Sequence, residues 1–229
     1  MKYCKIALYS FLLFTTLAFG HDPKGSFFLS LQGGLNLSRF DASGAVMVES
    51  QPYELIIYKP AFAANLEYRF ATGITLKSGL VYSQGGGKWE EEFNVTDLNG
   101  NVIKFNFIQE THFFEVPLRV QYRIPTGPTS LYVQTGGSIA LLSSARLDSD
   151  IISQTGRIQP PRIFELQDAF NDVNFSLDFG GGFSVPLSDN FEAGLELLYE
   201  IGLINLTKEV GITQKSRDIK ILLGITTRL

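Results

Sequence analysis

Cysteine is nearly absent from this 229-residue chain, and the single copy, Cys4, lies in an apolar N-terminal stretch. Beyond that stretch there is no thiol to build a disulfide framework, a cysteine nucleophile or a thiolate metal site. Histidine is almost as scarce: His21 and His112 are the only two, and no metal-ligand spacing surrounds either. A basic excess is missing too. The formal net charge is −4, which argues against nucleic acid as a partner. Past residue 20 no apolar run approaches the ~20 residues of a membrane helix, so any membrane crossing must be made by strands.

The N-terminus carries Lys2 and Lys5, then the apolar run "IALYSFLLFTTLAF", then small residues at Ala18 and Gly20 before His21. This is the pattern of a secretory signal peptide over residues 1–20. Cys4 is not at the cleavage position, which argues against a lipid-anchored reading. The expected mature chain, 21–229, has 209 residues, a length that suits a single barrel domain.

What the chain has in abundance is alternation. In "FFEVPLRVQYRI" (113–124), Phe114, Val116, Leu118, Val120, Tyr122 and Ile124 fall on one face of a strand. Glu115, Pro117, Arg119, Gln121 and Arg123 fall on the other. Seven further segments alternate in the same way: 26–38, 58–70, 73–83, 130–142, 172–186, 190–202 and 217–229. The links between them alternate as well. Those at 71–72, 125–129 and 187–189 are short, and those at 39–57, 84–109, 143–171 and 203–216 are long. An even number of strands with tight turns at one end and long loops at the other predicts an all-β, eight-stranded antiparallel up-and-down transmembrane barrel.

A soluble barrel with its apolar face inward is the competing arrangement. Eight strands enclose a space just wide enough to fill with side chains, and some six large apolar residues per strand would overfill it. The aromatic residues of the apolar face also gather at the strand ends. Tyr58, Tyr82, Phe114, Phe175 and Tyr199 fall at the loop end. Phe27, Tyr68, Phe70, Tyr122, Phe183 and Phe191 fall at the turn end. Two such girdles are what the headgroup layers of a bilayer select. The apolar face therefore points to lipid and the polar face inward.

By parity the lumen is expected to hold Lys59, Glu67, Arg69, Lys77, Glu115, Arg119, Arg123, Asp178, Glu192, Glu196, Glu200, Asp218, Lys220 and Arg228. Seven acids and seven bases make a nearly neutral interior, which predicts an ion-pair network filling the core in place of a ring of one sign around a selective pore. His112 takes lipid-facing parity at the loop end. With one rim histidine and no cysteine, neither catalysis nor a metal or cofactor is expected. Glycine runs at 85–87 and 180–182 are followed by no Lys-Ser/Thr pair and read as a rim hinge and as room for long luminal side chains. In the long loops, Trp89 stands beside three acids. In "PPRIFELQDAF", Ile163, Leu166 and Phe170 take helical spacing around Phe164. This segment is expected either to pack over the barrel mouth or, with Trp89, to form a docking surface for a protein partner.

The stretches "FFEVPLRVQYRI", "DFGGGFSVPL", "FEAGLELLYEIGLINL" and "RDIKILLGITTRL" resemble the PorT-like outer membrane β-barrel family of Bacteroidota, from about residue 26 onward. The Glu-x-Pro of that pattern falls on Glu115 and Pro117. Leu198 stands where the family often has a luminal arginine, and Leu229 where an aromatic is usual. The resemblance implies an eight-stranded barrel in the outer membrane of a Gram-negative bacterium, mostly without an assigned activity, whose namesake takes part in secretion and gliding. A monomeric, non-enzymatic barrel that binds a partner or supports a surface assembly is therefore the leading expectation. A small passive pore and a lipid-modifying enzyme are the alternatives.

Overall fold

The structure is a computed structural model that describes residues 25–44, 55–96, 102–153 and 156–229. Residues 1–20, expected to be a leader, and the side chain of Trp89 lie outside the described residues. Nine strands follow one another: β1 (Ser26–Gly44), β2 (Ile57–Arg69), β3 (Ile74–Thr96), β4 (Val102–Thr126), β5 (Thr129–Ser153), β6 (Gly156–Glu165), β7 (Val173–Pro186), β8 (Phe191–Gly202) and β9 (Ile212–Arg228). A 3-10 turn, Gln167–Ala169, precedes β7.

Every pairing is antiparallel. Eight of the strands form staves, each hydrogen-bonded to its neighbours in the order β1-β2-β3-β4-β5-β7-β8-β9. The ring closes where β9 returns to β1, in register from Phe28↔Arg228 to Gly44↔Ile212. Closure leaves no open edge within the bilayer, the condition that lipid imposes on strands. The short links at 70–73, 127–128 and 187–190 make one end tight. Gly127 supplies the left-handed conformation its two-residue turn needs, at φ +68°.

β3, β4 and β5 run far past the expected strand ends. Segments 84–109 and 143–171, expected to be loops, are largely strand: β3 continues to Thr96, β4 starts at Val102, and β5 reaches Ser153. β6 is the return arm of the β5 hairpin and pairs only with β5, so it adds a ninth strand without adding a stave. Outside lipid both faces of a ribbon meet water. The alternation that marks a stave then disappears although the hydrogen-bond ladder goes on.

The outward face matches the expected parity. Leu31, Phe62, Leu118, Val133, Leu197 and Leu223 all stay more than half exposed, which in a membrane barrel means exposed to acyl chains. Phe114 and Tyr122, Phe175 and Phe183, and Phe191 and Tyr199 are each eight residues apart on their strands. That is ~27 Å of strand, or ~20 Å of membrane height once the strands tilt by ~40°. Neighbouring girdle rings touch: Tyr82 and Phe114 lie 5.3 Å apart between centroids, Phe27 and Tyr68 4.8 Å, and Tyr68 and Phe70 4.7 Å edge-to-face. Within the outward face, the Ser78 hydroxyl donates to the Pro117 carbonyl at 2.7 Å, beside a stretch of the β3–β4 ladder where Pro117 has no N–H to give.

Candidate functional site

The staves carry the inward-pointing charges into one connected core. Strand parity sets Glu192, Glu196 and Glu200 in a column on β8, with Leu198 between the last two. Cations from other strands meet that column. Near the tight end, Arg69 binds Glu67 at 2.9 Å and Glu192 at 2.7 Å, while Arg123 reaches Glu192 at 3.1 Å and Glu67 at 3.6 Å. The Arg69 guanidinium also lies over the Phe28 ring, 3.7 Å from its centroid.

Two pairs occupy the middle. Lys77 meets Glu196 at 2.5 Å and Arg119 meets Asp178 at 2.7 Å, and all four side chains are sealed from solvent. The Tyr132 hydroxyl donates to Glu196 at 3.1 Å. Gly136 lies against Arg119: a Cβ there would come within 2.1 Å of the Leu118 carbonyl and 3.0 Å of the Arg119 side chain. Ala61, Leu198 and Leu222 pack together as a small apolar patch within the polar core.

Toward the loop end, Lys220 donates to both oxygens of Glu115, at 2.7 and 2.6 Å, and to Glu200 at 2.6 Å. Ser83 bonds to the same Glu115 carboxylate. Asp218 accepts from Asn36 at 3.0 Å. Next to this group lies an enclosed cavity of about 10 Å³, lined by Asn36, Thr111, Glu115, Asn174, Glu200 and Asp218 among others. Phe40, Phe113, Ala140, Ala145, Phe170 and Leu206 close over it as a buried apolar cap.

Two of the residues assigned to the lumen lie elsewhere. Lys59 pairs with Glu110 above the girdle, and Arg146 binds the same carboxylate at 2.5 Å, so Lys59 belongs to a rim cluster. The β2–β3 pairing ends at Ala61↔Ser83, which frees β2 above that level, and the backbone of the 85–87 glycine run departs from regular strand there, with Gly86 at φ +146°. Burial opposes the charge on Glu110, but its bonds and proximity to Lys59 and Arg146 outweigh burial and hold the carboxyl below its ordinary range. Arg228 is exposed at the tight end and donates to Ser26 at 3.0 Å. The core thus holds seven acids, Glu67, Glu115, Asp178, Glu192, Glu196, Glu200 and Asp218, against five bases, Arg69, Lys77, Arg119, Arg123 and Lys220. The expected balance of seven and seven does not hold.

The segment read as an amphipathic turn is also corrected. Ile163 and Phe164 sit in β6, opposite Asp148 and Leu147, with exposed side chains. Leu166 is half-buried, and Phe170 is buried in the cap. Strand pairing with β5 takes Ile163 and Phe164 out of helical register, so only Leu166 and Phe170 pack over the mouth. His112 sits beside a bulge where β4 steps from Phe113↔Leu142 to His112↔Ser144, and its Nδ1 is hydrogen-bonded to the Tyr82 hydroxyl at 2.9 Å. Glu110, Arg146, Phe40 and Leu206 were not anticipated. Phe40 had a legible signal, since it continues the inward parity of Asn36 and Ser38, whereas Glu110 and Arg146 are joined only by strand extensions with no alternation to reveal them.

The family described as outer membrane protein beta-barrel domain matches residues 21–208. Among solved structures, Neisserial surface protein A aligns over 90% of this chain and 99% of its own, at 10% identity and a TM-score of 0.43. Ail of Yersinia pestis aligns over 89% and 99%, at 16% identity and a TM-score of 0.37. The N-terminal β-barrel domain of Pseudomonas aeruginosa OprF aligns over 90% and 100%, at 12% identity and a TM-score of 0.37. No curated protein matches the chain.

Proposed function

This chain belongs to the outer membrane protein beta-barrel domain family and resides in an outer membrane, and on that premise we propose that it is a sealed, non-enzymatic barrel whose work is done by its external face. The filled lumen carries this reading. Lys77, Arg119, Asp178, Glu196 and Lys220 span the middle of the barrel with 1% or less of their surface open to solvent. A water-filled path past them would leave these charges wet. Their bonds join β3 to β8 and β4 to β7 and β9 across the lumen, and β9 to its neighbour β8, so opening a pore means breaking several buried pairs at once.

A lipid-modifying activity lacks support from the same residues. The luminal carboxylates are held in ion pairs or hydrogen bonds, and the Nδ1 of His112 is engaged by Tyr82. What the barrel offers outward is the wall formed by the extensions of β3, β4 and β5 together with β6, which exposes Ile163 and Phe164 beyond the membrane. With the resemblance to the PorT-like barrels, this wall supports a role as a monomeric component of a surface or secretion assembly, reached after export on the leader at 1–20.

Planar-bilayer recording of the refolded protein tests the sealed state. The expected record is flat, and reproducible unitary steps that survive purification to a single species would replace this reading with a passive pore. Mass spectrometry after mild extraction of native membranes tests the assembly role. A stoichiometric partner lost on Ile163→Asp with Phe164→Asp is expected; recovery of the barrel alone would remove that role.

A further inference from the structure

Outward parity does not stay apolar along the whole of β1 and β9. Leu37 pairs with Tyr58 on one side and Ile219 on the other, and Ile219 pairs with Tyr199. These four outward residues form one row of the loop-end girdle. Two residues further up, the same parity sets Arg39 directly opposite Arg217, and two further again it sets Asp41 opposite Lys215. Two residues of tilted strand rise ~5 Å, which puts the arginines in the headgroup layer, ~5–8 Å thick, that borders the hydrocarbon. The residues between them point the other way: Phe40 is buried in the cap, and the Ser216 hydroxyl accepts from Asn174 inside the barrel.

Like charges directly opposite one another on a sheet repel, and one carboxylate answers these. Asp41 meets Arg217 at 2.8 Å but Arg39 only at 3.8 Å, and Lys215 forms no ion pair among the described residues. Three cations against one carboxylate leave two positive charges on this face, in a chain whose net charge is −4. Arg217 is held in place by its Nη1, which donates to the Gly202 and Ser216 carbonyls, both at 3.3 Å. The Arg39 side chain is 51% exposed, so its guanidinium is open to whatever lies against the wall.

A groove begins beside this cluster. Gly202, whose carbonyl takes the Arg217 bond, is followed by Leu203, which lines a depression of about 450 Å³ in the membrane-facing wall. From Leu203 the depression crosses Phe175, Ile139 and Leu118 to Ser78. It exists because the two cross-strand partners of Leu118 are small, Ser78 on β3 and Gly137 on β5. Ser78 is turned against the wall by its bond to the Pro117 carbonyl, and a Cβ on Gly137 would stand 2.9 Å from the Ser176 carbonyl. Leu203 lies four residues beyond the girdle residue Tyr199, whereas Ser78 lies midway between Ile74 and Tyr82. The groove therefore descends from headgroup level toward the middle of the bilayer.

We propose that cluster and groove together bind one phosphorylated lipid of the outer leaflet, its headgroup phosphate on Arg39, Lys215 and Arg217 and an acyl chain along the groove. The assignment takes the loop end as external, as the proposed function does. A guanidinium matches phosphate oxygens two at a time, and lysine adds a point charge. The phosphate supplies the negative charge that Asp41 alone does not, and it relieves the repulsion between Arg39 and Arg217. A soluble anion would use the cluster without the groove, and an uncharged lipid would use the groove without the cluster. A phosphorylated lipid uses both.

The test uses the full barrel refolded in a non-ionic detergent with chelator present, and native mass spectrometry to count what it retains. The probes are lipid A with its phosphates, lipid A stripped of them, and inorganic phosphate. One phosphorylated lipid A per barrel is expected, held at least about tenfold more tightly than the stripped form. Arg39→Gln with Lys215→Gln keeps the Arg217 contacts with Gly202 and Ser216, and is expected to weaken retention at least about tenfold by removing two cations at headgroup level. Ser78→Leu fills the groove and is expected to weaken both forms of the lipid alike. Heat-modifiable gel mobility checks that each variant is folded. Equal retention of the two lipids overturns the proposal, as does undiminished retention by folded Arg39→Gln with Lys215→Gln. Displacement of the lipid by inorganic phosphate, with no response to Ser78→Leu, would assign the cluster to a soluble anion and overturn it. A barrel that runs as a dimer until Ser78→Leu is introduced would give the groove to a second copy of the chain and equally overturn it.

Discussion

Removing the Lys220 ammonium should be the most damaging single change in the lumen. Lys220→Met keeps the length and apolar bulk of the side chain and deletes only the charge and its donors. The deletion strips Glu115 of two charge-assisted bonds and Glu200 of one, all at 2.6–2.7 Å and away from water. Removing one partner of a buried pair costs ~3–5 kcal/mol, because the remaining charge stays desolvated. Here two carboxylates are left behind, so the upper end of that range is expected. Their own mutual repulsion and that of Asp218 are no longer offset. The assay is equilibrium urea unfolding of the barrel in lipid vesicles, followed by far-ultraviolet circular dichroism. A companion variant, Lys220→Met with Glu115→Gln and Glu200→Gln, removes the stranded charges and should recover more than half of the loss. A cost below ~1 kcal/mol for Lys220→Met, the scale of an exposed pair, would refute the reasoning, because it would mean that water reaches Glu115 and Glu200.

Other changes separate the remaining elements. Gly136→Ala places a Cβ about 2.1 Å from the Leu118 carbonyl, so strand β4 or β5 must shift. It should destabilise the barrel by ~1–3 kcal/mol, the range for overpacking, in the same unfolding assay. Phe170→Ala opens the cap and should cost ~3–5 kcal/mol locally, read as faster hydrogen exchange at Leu206 and Ala145 with unchanged gel mobility of the barrel. The rim cluster gives a pH test. Because Glu110 is held below its ordinary value when folded, its stabilisation is complete above the ordinary carboxylate range and is lost as pH falls through the lowered value. Glu110→Gln should therefore loosen the β4–β5 extension at pH 7, by hydrogen exchange, and make no difference at strongly acidic pH. An equal effect at both would exclude the ion pairs as the cause.

The staves were legible because lipid and a narrow lumen impose opposite chemistry on successive residues. Where that constraint acts, as from Phe114 to Ile124, parity alone places Glu115, Arg119 and Arg123 inside. It stops at the membrane boundary. β6, the upper parts of β3 to β5 and the 3-10 turn before Phe170 are wetted or packed on terms that leave no period of two. Parity also takes no account of height. Lys59 and Arg228 have inward parity but sit at the two ends of their staves, where a long side chain finds a rim carboxylate or solvent. The displacement of these two bases to opposite ends of the barrel was invisible to a count along the sequence. The bulge beside His112 is a further break in register with no signature in residue type.

The closure of the ring between β1 and β9 has a consequence for how the molecule comes into being. Phe28 and Arg228 are partners across 200 residues of chain, so this ladder joins the most distant segments. Until it forms, β1 and β9 are both unpaired edges with an apolar outer face, a combination that invites aggregation in water. Such non-local pairing is slow, since loop closure must be complete before its bonds contribute. Lys220, which sits on the final strand, reaches Glu200 across its own pairing with β8 but reaches Glu115 only across the closed barrel. Closing the ring thus brings Lys220 and Glu115 together.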